Sequence, residues 1–410
     1  VGSASRRAAW KDGLVHILVV NSGSSSIKFS VFSSIPPEEP RCLLDGELAG
    51  MGRSDAKLNV STSDEQKHTV DASTPDAAIH AVLDALEAGS GPTPDAVGYR
   101  VVHPGAKLDR HVRIDEAVLH ELDAAAAFAP LHDPTAVTII RALMQRMPNV
   151  PHFACFDTVF HQTMPAEATT YPIPKKFRDQ GARRYGFHGL SCESIVRRLK
   201  FVAGDFPARA VIAHLGSGCS VTALRDGRSI DNTMGLTPTG GVVMGTRPGD
   251  LDPGLVLYLL RQGGGDADAL EKLLNHDAGM VALSGMKNDV KAIREAAGNG
   301  DAHAVLSLQV FTRSVRKAIG GFAWLLGGLD AVVFTGGIGE HDARTREDVL
   351  SGLESMGIHL DNAADASGKG PRRVDAGGTT EIWVVPAEED LMIAIHVETM
   401  MRVYGCAIAD

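Results

Sequence analysis

Asn21, Ser26 and Lys28 surround a Gly/Ser turn in ILVVNSGSSSIK, and the same outline returns in VIAHLGSGCS at residues 211–220. Small residues at such a turn let backbone N–H groups close around an anion, and hydroxyls add further donors. Two copies suggest two walls for nucleotide phosphates, whereas one copy alone reads as a polar β-hairpin with a solvent lysine. Phosphoryl transfer also needs cations on the moving group, a metal on the nucleotide phosphates and in-line positioning. RRYGFHG gathers Arg183, Arg184 and His188 in a Gly-flanked loop, and MGTRPGDLDP sets Arg247 between two glycines. Either loop could hold positive charge against a transferring phosphoryl. The plainer reading is a solvated basic loop.

Arg100 lies inside the apolar run VGYRVVHPG, where a guanidinium is costly without an anionic partner. That partner is either a carboxylate substrate, which suits its planar fork, or an internal Asp or Glu. Asp157 in ACFDTVFHQTMP and His132 in FAPLHDP both follow apolar stretches. Taken singly, they read as an N-cap and as a core or loop histidine. Asp157 and His161 have the i, i+4 spacing of helical metal ligands, but no third ligand is near in sequence, which favours a structural role. TGGIGE, between a strand and a helix, presents N–H groups to a phosphate or ribose, or is a plain tight turn. Glu388, Glu389 and Asp390 could hold Mg2+ through one carboxylate and water, or cap the helix that follows.

The elements that must position these residues alternate along the chain. Apolar patterning predicts helices over 75–88, 116–127, 191–200, 304–326, 342–356 and 389–403, and strands over 96–102, 150–156, 331–334 and 382–385. Asp252 and Pro253 read as N-cap and N1 of a helix through Leu260. Interleaved strands and helices give an α/β class, and 410 residues predict two domains. No Walker A pattern occurs, so phosphate binding must rest on another architecture. A formal charge of −10 argues against a nucleic-acid or anionic-membrane surface. Five cysteines without a C-x-x-C pair fit a reducing cytoplasm rather than a disulfide framework or zinc site. No apolar run approaches the roughly 20 residues of a membrane span, and the first 13 residues read as a flexible leader.

The motifs NSGSSSIK, GYRVVH, APLHDP, FDTVFHQTMP, RRYGFHG, HLGSG, MGTRPGDLDP, FTGGIGE and PAEEDL follow one another as in the acetate kinase (acetokinase) family, which the chain resembles over about residues 14 to 400. The resemblance implies duplicated actin-like ATPase (ribonuclease H-like) domains with a central nucleotide cleft, the first spanning 14–157 plus 391–410 and the second 158–390. It implies a cytoplasmic homodimer that transfers phosphoryl reversibly and directly between ATP and acetate, giving ADP and acetyl phosphate. Mg2+ is the implied metal, with Mn2+ as an alternative. By position, Asn21 and Glu389 resemble the metal-associated pair, with Glu389 set over Glu388 by aligning PAEEDL. Lys28 belongs to the first nucleotide hairpin, and Arg100 resembles the holder of the substrate carboxylate. Asp157 resembles the catalytic acid/base, His188 and Arg247 the transition-state stabilisers, and His132 an active-site histidine. His214, Leu215, Gly216, Ser217 and Gly218 match the second phosphate loop. Asp289, Val290 and Lys291 fall where adenine and ribose are contacted, and Gly337, Ile338, Gly339, Glu340 and His341 form the adenosine-side turn.

Ser217, Lys291 and His341 depart from the family's usual Asn, Arg and Asn, all on the nucleotide side. Lys291 keeps the charge but loses the flat stacking surface of arginine. A propionate or butyrate kinase is the nearest alternative, since one methylene changes discrimination by only about 1–3 kcal/mol. A non-enzymatic ATP-driven chaperone-like or filament module would share the hairpins. It has no need for Arg100, Asp157, His188 and Arg247 together.

Overall fold

Val15–Ser22 (β1) is buried at every position except the partly exposed His16 and Asn21, the pattern of a central strand covered on both faces. Antiparallel to it runs Ser26–Ser34 (β2), followed by Arg41–Ala49 (β3), Ala56–Ser61 (β4) and Glu65–Val70 (β5). On the other side of β1, Ala96–Val101 (β6) pairs parallel, Val112–Arg113 (β7) closes the edge, and His152–Phe156 (β8) lies between them. The sheet order is therefore β5-β4-β3-β2-β1-β6-β8-β7. The computed structural model describes residues 13–23, 26–61, 65–88, 91–125 and 133–406. The leader segment and His132 thus lie outside the described residues, apart from Gly13.

The second sheet repeats the plan of the first. Arg209–Leu215 (β9), Cys219–Arg225 (β10) and Arg228–Asn232 (β11) are antiparallel, while Ala331–Thr335 (β12), Arg372–Arg373 (β13) and Glu381–Val384 (β14) complete the order β11-β10-β9-β12-β14-β13. Here β11-β10-β9-β12-β14 retraces β3-β2-β1-β6-β8, with an antiparallel trio and then parallel strands joined through helices. The fold is a duplicated α/β arrangement of the actin-like ATPase (ribonuclease H-like) type. The chain splits into two compact units, Val1–Val159 with Glu388–Asp410, and Phe160–Ala387.

Most expected helices appear: Pro75–Ala88, Glu116–Ala125, Gly189–Ala203, Ala302–Leu326 and Glu389–Cys406. The Asp252 carboxylate accepts from Leu255 N at 2.9 Å with Pro253 first in the helix, as the Asp-Pro pair predicts. The predicted 342–356 helix is instead Ala343–Leu350 followed by a 3-10 turn Glu354–Met356, because Gly352 takes φ +73° and interrupts it. TGGIGE is not a plain turn either, since Gly336–His341 is helical.

The C-terminal helix Glu389–Cys406 returns to the first unit and lies close over β6 at Gly98. A Cβ there would stand 2.6 Å and 2.7 Å from the Val397 and Ile393 methyls. Gly98→Ala is expected to destabilise the protein by about 1–3 kcal/mol through overpacking. A urea midpoint equal to that of the unsubstituted protein would show that the helix can shift at no cost.

Candidate active site

In the first unit, register does the positioning. Asn21 on β1 stands opposite Lys28 on β2 and opposite Arg100 on β6, so three polar side chains form one row across the sheet. Asp157 follows directly on β8, its N–H donating to Val101 O at 3.3 Å. Arg100 donates from Nε to Asp157 Oδ1 at 3.1 Å and from Nη2 to Oδ2 at 2.6 Å, a bidentate pair. Its Nη1 donates to Asn21 Oδ1 at 3.3 Å, and Glu389 Oε2 lies 3.6 Å from Nε.

Of the two anionic partners open to this arginine, the internal carboxylate is therefore present. Asp157 is 1% exposed. Burial, reinforced by the Glu389 charge, pushes its carboxyl up to about 6 against the pull of Arg100. Beside it, Ser30 Oγ donates to Asp390 Oδ2 at 2.8 Å, and burial also raises the Asp390 carboxyl. Asn21 and Glu389 bring one neutral and one charged hard oxygen to the same guanidinium. This donor set suits Mg2+, which takes oxygen ligands and keeps several waters.

In the second unit, β9 and β12 end side by side, with His214 opposite Thr335. That register sets the loop at residues 216–218 beside the Gly336–His341 helix. Gly216 N donates to Gly218 O at 3.0 Å, closing the loop, and Cys219 Sγ donates to Gly216 O at 3.2 Å. Burial pushes the Cys219 thiol up to about 12, so it stays a donor. Gly336, at φ +77°, tolerates no side chain, because a Cβ would stand 2.7 Å from Leu215 O.

His188 and Arg247 meet at this loop. From the position a Cβ would take on Gly218, His188 Nε2 is 3.3 Å and Arg247 Nη1 is 3.4 Å away. An imidazole nitrogen and a guanidinium nitrogen therefore converge on the space in front of a glycine, an arrangement that suits a phosphoryl oxygen.

Asp289 caps the helix Val290–Gly298, accepting from Ala292 N at 3.1 Å, and Lys291 is exposed on its first turn. Nothing in the local pattern singles out Arg294, yet it draws this helix to the end of the Gly336–His341 helix and the one that follows. It donates to Asp342 Oδ2 at 2.7 Å, Asp348 Oδ2 at 2.8 Å and Thr345 Oγ1 at 2.8 Å.

Glu340, expected in a nucleotide-facing turn, points its carboxylate inward. Oε1 accepts from Gly336 N at 2.9 Å and Ala387 N at 3.2 Å. Arg184 Nη1 donates to the carbonyls of Asn232, Thr233 and Met234 at 2.9–3.1 Å, so that end of its guanidinium ties down the chain after β11. His161 bonds Ser229 Oγ and Phe187 O at 2.8 Å and 2.9 Å, the structural role expected of it.

Paired phosphate-type hairpins on duplicated sheets, with an arginine–carboxylate set in one unit and a convergent histidine and arginine in the other, define a phosphotransferase of the actin-like kind. The Acetokinase family model matches residues 16–395, and the chain belongs to that family. It is 40% identical over 391 residues to the acetate kinase of Rhodopseudomonas palustris, covering 93% of this chain and 97% of that relative. Acetate kinase of Clostridium botulinum is 37% identical over 392 residues, covering 92% and 98%. The crystal structure of Porphyromonas gingivalis acetate kinase superposes with a TM-score of 0.84 at 31% identity, over 94% of this chain and all of that one. A propionate kinase from Francisella tularensis gives 0.86 at 33% identity, over 93% and 98%.

Proposed function

We propose that the protein is an acetate kinase that transfers phosphoryl reversibly between ATP and acetate by direct in-line displacement. The observation that carries this reading is the convergence of His188 Nε2 and Arg247 Nη1 in front of Gly218. Both would donate to equatorial oxygens of the moving phosphoryl, where charge stabilisation counts most. Acetate binds at Arg100, whose Nη1 faces Asn21 rather than Asp157. Asp157 holds the guanidinium in place through both of its carboxylate oxygens. Gly216, Ser217 and Gly218 cradle the donor phosphates. Asp289–Lys291 and Gly337–His341 receive the adenosine. Asn21 and Glu389 would hold Mg2+, which neutralises phosphate charge when bound.

Similarity to the Francisella tularensis propionate kinase keeps propionate as a second reading. The test is ATP-dependent acyl phosphate formation with acetate, propionate and butyrate side by side. Acetate is expected to give the highest kcat/KM, a propionate maximum would move the reading to the second, and no turnover with any of the three would overturn both.

We also propose a homodimer in a reducing cytoplasm. Among the described residues, Cys42 and Cys219 are free thiols, which suits that compartment. The helix Pro253–Gln262 carries the run LVLYLL with none of its residues buried, and Leu257 and Tyr258 are 51% and 55% exposed. Such an apolar face calls for a cover, and a second copy supplies it. Leu257→Asp with Tyr258→Asp is expected to halve the mass seen by sedimentation. A mass unchanged by the pair would remove this helix from the interface.

A further inference from the structure

Ser220, on β10, is fully buried and bonded to the ring that approaches Gly218. Its Oγ lies 2.9 Å from His188 Nδ1. His188 holds φ +60°, the left-handed region a non-glycine residue seldom adopts, immediately before the helix Gly189–Ala203. Its ring stacks on that of His214, with centroids 4.1 Å apart and planes 21° apart. His214 repeats the device, its Nδ1 lying 2.8 Å from Ser191 Oγ. Backbone, stacking partner and serine together leave the His188 ring one orientation, with Nε2 toward Gly218 and Arg247 Nη1.

A neutral imidazole carries one proton, and the bond made by one nitrogen decides which nitrogen has it. We propose that Ser220 is a positioning residue for phosphoryl transfer: its hydroxyl donates to His188 Nδ1 and so fixes the tautomer whose Nε2–H points at the phosphoryl group. A hydroxyl can act either way, but only donation to Nδ1 leaves the neutral ring with a hydrogen where Arg247 converges. Ser191 acts on His214 in the same sense, keeping the stacked ring in register. This inference rests on the kinase reading for the identity of the oxyanion, but the tautomer itself does not depend on it.

The test uses the full-length enzyme. Nitrogen-15 NMR of histidine-labelled protein, with the His188 signals assigned by their loss in His188→Gln, reads the tautomer directly. The Nε2–H form is expected in the unsubstituted protein, and a ring that is Nδ1–H overturns the proposal whether or not any variant folds. Ser220→Ala is expected to lower kcat about 10-fold, leave KM for ATP and acetate within about twofold, and allow the second tautomer to appear. An unchanged kcat in a folded Ser220→Ala enzyme would also overturn it. An unsubstituted enzyme inactive on every carboxylate would sink the functional reading while the tautomer result stood by itself.

Discussion

Arg247→Ala is expected to lower kcat about 10^3-fold while KM for ATP changes by only a few fold. Removing one preorganised donor from a site of developing charge costs about 10^2–10^3 in rate, and a full cation on a phosphoryl oxygen lies at the upper end of that range or beyond. The loss should fall on kcat because the role proposed for Arg247 is on charge that builds as the phosphoryl moves, with ground-state affinity left largely to other groups. The fold should survive. Residues 244–247 are tied down without the guanidinium, by Met244 N to Arg247 O at 3.0 Å, Ala278 N to Thr246 O at 3.2 Å and Thr246 Oγ1 to Asn275 O at 2.7 Å. Arg247→Lys should recover only part of the rate, because an ammonium cannot reach both Pro238 O, now 3.1 Å from Nη1, and the space before Gly218. Steady-state kinetics on both variants decide the matter. A kcat for Arg247→Ala within threefold of the unsubstituted enzyme would remove the residue from the transition state.

Residues that act through what flanks them in the chain are legible from sequence alone. The doubled Gly/Ser hairpin, the Asp252 cap and the long helices follow from local pattern, because turn chemistry and apolar period are short-range. Arg100 is legible as a problem, a charge in an apolar strand. Its solution is not, because Asp157 lies 57 positions on and meets it only through the parallel pairing of β6 with β8. Arg184 shows the converse case. A cation in a Gly-flanked loop invites a phosphate, and three backbone carbonyls around its Nη1 already occupy it.

Other contributors carry no local signal at all. Arg294 and Ser220 are ordinary residues of a helix and a strand until tertiary structure brings Asp342 and His188 to them. Strands β3 to β5 escape apolar patterning, because their burial is uneven and they mix charged residues with apolar ones, as an edge extension does. Glu340 lies in a motif that reads as ligand-facing, and its inward turn depends on the backbone N–H of Ala387, 47 residues away.

The Arg346–Asp365 pair, which has no signature in the local sequence, supports the largest stability prediction. Both side chains are 1% exposed, with Arg346 Nε donating to Asp365 Oδ1 at 2.7 Å. The same guanidinium donates from Nη1 to Gly339 O at 2.6 Å, in the helical turn proposed to receive adenosine. Arg346→Met would leave a carboxylate buried without its cation, a change that costs about 3–5 kcal/mol. Unfolding by urea, followed by fluorescence, is expected to show the midpoint falling accordingly. Replacing both residues, Arg346→Met with Asp365→Leu, should recover most of the stability, since a buried ion pair often adds little over an apolar pair of similar size. The double variant would still lack the hydrogen bond to Gly339 O, so KM for ATP should stay raised even where stability returns. Stability and KM recovering together would show that the pair does nothing for the turn, and an unchanged midpoint in Arg346→Met would show that Asp365 is neutralised by the neighbouring Arg372 or by water when its partner is gone.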